Sequence, residues 1–238
     1  MVLDSIFNEE CLGGMQRIEN GTVDLILCDL PYGTTQNCWD SIIPLSSLWA
    51  QYLRVLKPNG AVILTSMQPF TSQLVSSNPK LFKYELIWEK NISTGHLNVS
   101  KQPLRKHESV LVFYSKQPTY NPQKTFGAKP YKPKGGGSNG TNYGKFGQFR
   151  AGNEDGSRFP TSILKFDCEK GLHPTQKPVA LFEYLIKTYS NEGDVVLDSC
   201  LGSGTTAVAA KRCGRHYVGF ELNPEYYAVA QRRVLTVG

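Results

Sequence analysis

Six short runs in this chain are close to continuously apolar instead of alternating: Val23 to Cys28, Ala61 to Thr65, Tyr84 to Trp88, Val110 to Tyr114, Val195 to Leu197 and Tyr217 to Phe220. A strand with one wet face alternates, whereas a strand covered on both faces does not, so these runs predict a buried, mostly parallel sheet. Amphipathic helical stretches separate several of them. Pro44 to Leu56 closes on Lys57-Pro58-Asn59-Gly60, read as a helix stop and turn, and Pro178 to Ser190 closes before Asn191-Glu192-Gly193-Asp194. Strand and helix in alternation predict an α/β fold with a doubly wound sheet and helices on both faces. At 238 residues, 40% of them hydrophobic, the chain can bury one such core with an insertion, and two large domains are excluded.

The rhythm stops between residues 116 and 170. That segment holds ten Lys/Arg against four Asp/Glu, while the rest holds sixteen of each, so the whole net charge of +6 sits there. Gly, Lys and Tyr dominate it, and Lys129 to Gly137 cannot supply a packed core, so 116–170 is expected to be an insertion facing a polyanion, set into a domain formed by 1–115 and 171–238. No apolar run approaches the roughly 20 residues that cross a bilayer, and no secretory leader is evident, which makes a cytoplasmic location the expectation. The six cysteines, Cys11, Cys28, Cys38, Cys168, Cys200 and Cys213, form no C-x-x-C pair; reduced, mostly buried thiols are expected, with no metal site.

Three segments carry chemistry. Val23 to Gly33 is an apolar strand that breaks into Asp29-Leu30-Pro31-Tyr32, an acid, a stiff turn and an aromatic ring at the end of a strand where open α/β sheets bind ligands. An aromatic amine is a poor nucleophile because its lone pair is delocalised. The Asp29 carboxylate and a backbone carbonyl of Leu30 or Pro31 would be the acceptors that draw its hydrogens out of plane, with Tyr32 a stacking surface. Asp194 to Thr206 is a strand, a glycine turn at Gly202 and Gly204, and an Ala-rich helix. With Ala207 it also fits G-x-G-x-x-A, and Glu221 follows at the distance of a ribose-binding acid, so a nicotinamide dinucleotide and its oxidoreductase chemistry stay open at this point. His173-Pro174-Thr175-Gln176-Lys177-Pro178 precedes a helix that Thr175 or Gln176 would cap, and Lys177 could meet a carboxylate. Trp39 is either core or a second stacking surface.

Taken together and in this order, the three segments resemble the amino-methyltransferases of DNA, whose catalytic motif is D-P-P-Y or S-P-P-Y. Catalytic motif first, basic insertion next, H-P-T-Q-K-P after it and the glycine loop last is the circularly permuted order of the family's β group. The resemblance implies a Rossmann-like methyltransferase fold, S-adenosylmethionine as cofactor and double-stranded DNA as partner, with the inserted segment as target-recognition region. It makes Asp29, Leu30, Pro31 and Tyr32 the catalytic turn. Asp29 and Leu30, with Asp198, Ser199, Cys200, Leu201, Gly202, Ser203, Gly204 and Thr205, would surround the methyl donor; Glu221 would hold its ribose, Glu10 its adenine end, and His173, Thr175 and Lys177 would pack beside it, Lys177 reaching its carboxylate. Asp at position 29 favours the N6 amine of adenine over the N4 amine of cytosine. Thr94 to Glu108, with Asn98, Lys101, Gln102, Arg105 and His107, resembles a loop near the target base. Lys124, Lys129, Lys132, Lys134, Lys145, Arg150 and Arg158 would serve phosphates or bases, with Tyr131, Tyr143, Phe146 and Phe149 interleaved. The family also allows a homodimer and a cognate restriction endonuclease. Two departures stand out: Leu30 replaces the first proline, and Ser199-Cys200 replaces the frequent Pro-Phe, so aromatic packing on the donor must come from elsewhere.

Overall fold

The computed structural model describes residues 2–33, 42–131, 155–169, 171 and 176–237. Two compact units emerge, one of 1–121 with 162–238 and a smaller one of 122–161.

The larger unit is built on one eight-stranded sheet. In chain order its strands are β1 (Ser5–Phe7), β2 (Val23–Asp29), β3 (Leu56–Ser66), β4 (Phe82–Thr94), β5 (Arg105–Phe113), β6 (Ile163–Lys165), β7 (Val195–Asp198) and β8 (His216–Phe220). In space the order is β1-β8-β7-β2-β3-β5-β4-β6, and every pairing is parallel except those of β5 with β3 and β4. Among the described residues six α-helices complete the unit: α1 (Cys11–Met15), α2 (Leu45–Val55), α3 (Phe70–Ser77), α4 (Val179–Tyr189), α5 (Thr205–Arg212) and α6 (Pro224–Leu235). Among the described residues no helix is long and apolar enough to cross a membrane.

The continuous apolar character of β2 is explained by what lies above and below it. Leu25 and Leu27 join a core with Phe182 and Leu185 of α4 and Ala207 and Val208 of α5. Ile26 and Cys28 point into the opposite core, with Met15 of α1, Leu48 and Tyr52 of α2 and Phe70 of α3. The doubly wound expectation therefore holds, with an antiparallel strand added. Between β7 and β2 the winding reverses, and the ends of both strands, Asp198 and Asp29, flank the crevice that such a reversal opens.

Several local expectations change. Lys57 to Gly60 does not end a turn but lies within β3, whose register jumps from Val23–Leu56 to Leu25–Ala61, so these residues bulge; Lys57 closes the bulge on Asp24 at 2.7 Å. Strand β4 runs on to Thr94 and β5 starts at Arg105, so 95–104 is the loop that joins the two strands, while Arg105 to Glu108 already belong to β5. Strand β6, parallel to β4, was unexpected within 116–170, and Asn121 donates to the Thr188 carbonyl at 2.7 Å; both ends of that stretch thus belong with the sheet. At the start of α4 the Val179 amide donates to Glu169 Oε1 at 2.8 Å, with Gln176 Nε2 on the other carboxylate oxygen at 2.9 Å, so Glu169 supplies the cap.

In the smaller unit Thr125 and Arg158 exchange backbone hydrogen bonds of 3.1 and 2.8 Å. The Arg158 guanidinium donates to the Lys129 carbonyl at 2.6 Å and covers the Tyr131 ring, while Lys124 Nζ stands 4.5 Å from the Phe159 ring centroid.

Candidate active site

A cleft of about 560 Å³ opens at the carboxyl ends of β2 and β7, and its wall contains both Asp29 to Tyr32 and Asp198 to Ser203. Thr205, Glu221, Glu10 and Lys177 share it. Of the other expected residues, Gly204 lies behind the wall, and His173, Thr175 and Trp39 fall outside the described residues.

Asp29 ends β2 and is held from three directions. Its Oδ1 accepts from Tyr32 Oη at 2.7 Å and from Thr65 Oγ1 of β3, and its Oδ2 accepts from Lys177 Nζ at 2.7 Å. The Lys177 ammonium, expected at a ligand's carboxylate, thus spends its charge on protein acids: it also faces Glu108 Oε2 of β5 at 3.3 Å, and Glu108 Oε1 takes Lys90 Nζ of β4 at 3.0 Å. Burial alone would pull the Lys177 ammonium down, yet Asp29 and Glu108 outweigh it and hold it well above the usual lysine range. Burial likewise works against the Glu108 carboxylate, and the two lysines overcome it and keep it below its ordinary value. Tyr32 packs against Phe70, ring centroids 5.5 Å apart, and burial followed by the nearby Asp29 charge pushes its hydroxyl well up, so it stays a donor.

The glycine turn joins β7 to α5. Gly202 has φ +55° with open space where a Cβ would stand; Gly204 has φ +88° and touches α6, where a Cβ would come within 2.9 Å of Ala230. Arg233 of α6 ties the turn down through the Ser203 carbonyl at 2.8 Å and Thr205 Oγ1 at 3.3 Å. Beneath it Asp198 accepts from the Cys200 amide at 2.9 Å and from Thr206 Oγ1, and burial pushes its carboxyl up to about 6. Ser199, in place of an aromatic pair's first member, is buried and hydrogen-bonds Tyr52 Oη at 2.6 Å; the aromatic wall comes instead from Phe220 and Tyr226.

Glu221 follows β8 and joins its neighbours through Gly202 N and Asn223 N, both at 2.7 Å; burial raises its carboxyl. A carboxylate fixed by two amides retains lone pairs for a diol. Glu10 is the cap of α1, accepting from Leu12 N at 2.8 Å and Gly13 N at 2.9 Å.

Lys101 and Arg105 are exposed on the β4–β5 hairpin. Because Ser109 of β5 pairs with Ser66 at the end of β3, this hairpin continues past the sheet edge where Asp29 lies. Lys124 and Lys129 are exposed in the smaller unit, and Arg158 is half-buried there with its guanidinium committed to backbone carbonyls. Lys132, Lys134, Lys145, Arg150, Tyr143, Phe146 and Phe149 lie outside the described residues. Glu108 and Lys90 were missed: each sits in an unremarkable strand, and only strand pairing brings them to Lys177.

The family model of the N6/N4 DNA methylases matches residues 23–232. The chain belongs to this DNA methylase family. Among curated relatives, the Type II methyltransferase M.HpaI of Haemophilus parainfluenzae is 28% identical, covering 92% of this chain and 70% of its own length. A crystal structure of M1.HpyAVI in complex with SAM is 25% identical, with a TM-score of 0.65 over 96% of this chain and 98% of that one. The PvuII cytosine-N4 methyltransferase, at 15% identity, shares the fold with a TM-score of 0.70 over 96% of this methylase and 85% of its own chain. The nicotinamide alternative that the glycine turn left open finds no support in these likenesses.

Proposed function

We propose that this DNA methylase transfers a methyl group from S-adenosylmethionine to the N6 amine of adenine within a specific sequence of double-stranded DNA. The observation that carries the reading is that the Asp29 carboxylate and the glycine turn line one cleft. The cleft's volume falls in the roughly 300–1,000 Å³ range of small-molecule sites, and its donor set suits the methyl donor: an amide-anchored acid in Glu221, an aromatic and aliphatic wall in Phe220 and Leu30, and an open glycine turn at Gly202. Glu221 would hold the ribose, Asp198 to Thr205 the methionine part, and Glu10 the adenine end. When bound, the donor supplies an electrophilic methyl on a sulfonium.

The protein's task is to present the amine. The target nucleotide is extruded from the duplex, at a cost of a few kcal/mol, and stacks on Tyr32. Asp29 and a carbonyl of the Leu30-Pro31 turn accept its two hydrogens, which localises the nitrogen lone pair. That pair forms the N–C bond while the S–C pair returns to sulfur. The amine becomes positively charged and then passes a proton to the Asp29 carboxylate that accepts its hydrogen bond. Asp29 is oriented for this by Tyr32, Thr65 and Lys177, and its half-buried position limits the competition of water for these contacts. Lys101 and Arg105, with the basic residues of 116–170, would engage the phosphates, and the protein would work in the cytoplasm beside a cognate endonuclease, as one copy or a homodimer.

Asp29→Ala is expected to retain donor binding and lose methylation. Mass spectrometry of nucleosides from treated DNA identifies the base; N4-methylcytosine alone refutes the adenine assignment, and wild-type turnover in Asp29→Ala refutes the role of the acid.

A further inference from the structure

Behind the catalytic turn runs a chain of four alternating charges, Lys90, Glu108, Lys177 and Asp29, linked at 3.0, 3.3 and 2.7 Å. The first three are nearly sealed from water, with side chains 6, 11 and 5% exposed, and Asp29, at 24%, is the end that meets the cleft. Two cations and two anions make the chain neutral. Stability does not account for such an arrangement, since apolar residues of equal volume serve a core as well as or better than buried ion pairs.

Charge at the open end does account for it. Lys177 fixes the orientation of Asp29 but, acting alone, would cancel the negative charge at the point where the target amine turns cationic. Glu108 returns that charge. It shares the same ammonium, which sets its carboxylate within about 6 Å of that of Asp29, close enough for a full unit of charge to matter at an effective dielectric near 20. Among the described residues Glu108 Oε2 meets no other hydrogen-bond donor, so its charge is not spent elsewhere on that side.

We infer that Glu108 is a positioning residue of the methyl transfer: by sharing the Lys177 ammonium it keeps the Asp29 carboxylate both oriented and net negative as positive charge develops on the amine. The inference rests on the assignment of Asp29 as acceptor of that amine.

Single-turnover transfer from labelled donor to DNA tests it, with donor binding, DNA binding and urea unfolding measured on the same proteins. Absence of labelled base with the wild type refutes the functional reading itself, independently of any variant. With an active wild type, Glu108→Gln is expected to slow transfer about tenfold to a hundredfold while both binding constants stay within about threefold. Lys90→Met breaks the same Lys90–Glu108 bond with the opposite change of charge, and is expected to slow transfer by less than about threefold. The double variant leaves Lys177 alone with Asp29 and should be slowed about as much as Glu108→Gln. Equal slowing in the two single variants points to a merely structural role and overturns the inference, as does wild-type speed in Glu108→Gln. If Glu108→Gln does not fold, the double variant takes its place, and a folded double variant within about threefold of the wild type also overturns it.

Discussion

Replacing Lys177 by methionine keeps much of the side chain's length and volume while removing the one charge that separates Asp29 from Glu108. Contacts of 2.7 and 3.3 Å correspond to about 5–6 kcal/mol each at an effective dielectric of 20. Most of that offsets the desolvation of the ions, and breaking a buried pair from one side leaves a net cost of about 3–5 kcal/mol. The pH dependence follows from the direction of each shift. Lys177 is held above its ordinary value, so its contribution is complete below the unfolded lysine pKa and is lost only as pH rises through the folded one. Glu108 is held below its ordinary value, so its contribution is present above the unfolded carboxyl pKa and is lost as pH falls through the folded one. Between pH 5 and 8 neither group makes the wild type's stability vary. In Lys177→Met the Glu108 carboxylate loses one of the two cations that hold it down and can take up a proton, so the deficit should be largest near pH 8 and shrink towards pH 5. Urea unfolding at both values measures this. A loss below about 1 kcal/mol at pH 8, the level of an exposed pair, or the same loss at both values, would refute the argument.

Two further substitutions probe the glycine turn and its floor. Gly204→Ala should cost about 2–4 kcal/mol, from a left-handed backbone and a Cβ driven to 2.9 Å from Ala230, whereas Gly202→Ala, with open space around it, should cost only about 1–2 kcal/mol; equal urea midpoints would contradict the assigned packing. Asp198, pushed from 3.8 to about 6 by burial, gives the wild type stability at low pH that disappears as pH rises through the folded value. Asp198→Asn removes that dependence, so between pH 4.5 and 7.5 it should gain on the wild type by about 2 kcal/mol, and parallel stability curves would show that the carboxyl is not buried in this way.

The sheet was legible because both its faces are covered, which leaves an apolar signature in every central strand; β2 is the clearest case. Asp29 and the glycine turn were legible because each breaks such a strand at its carboxyl end with acid, proline and glycine residues that a buried strand does not call for. What escaped notice was non-local. Glu108 and Lys90 look like solvent-facing residues of strands until β4 and β5 pair and α4's leading lysine arrives from elsewhere in the chain. The cap of α4 escaped for a similar reason, since Glu169 stands ten residues before the amide it receives, outside the spacing at which caps are recognised. Lys57 to Gly60 misled because Pro-Asn-Gly usually turns a chain round, and here the parallel partner on β2 holds the strand on either side of a bulge. Arg158 reads as a free cation by composition, yet backbone carbonyls claim its guanidinium.

The tether from Arg233 to Ser203 and Thr205 couples α6 to the loop at the fold's centre of activity. Anything that peels α6 away, whether heat, a protease or a competing surface, therefore blunts the enzyme before the sheet itself opens, and conversely a molecule that fills the cleft braces this helix twice, directly at Tyr226 and at a distance through the Arg233 guanidinium.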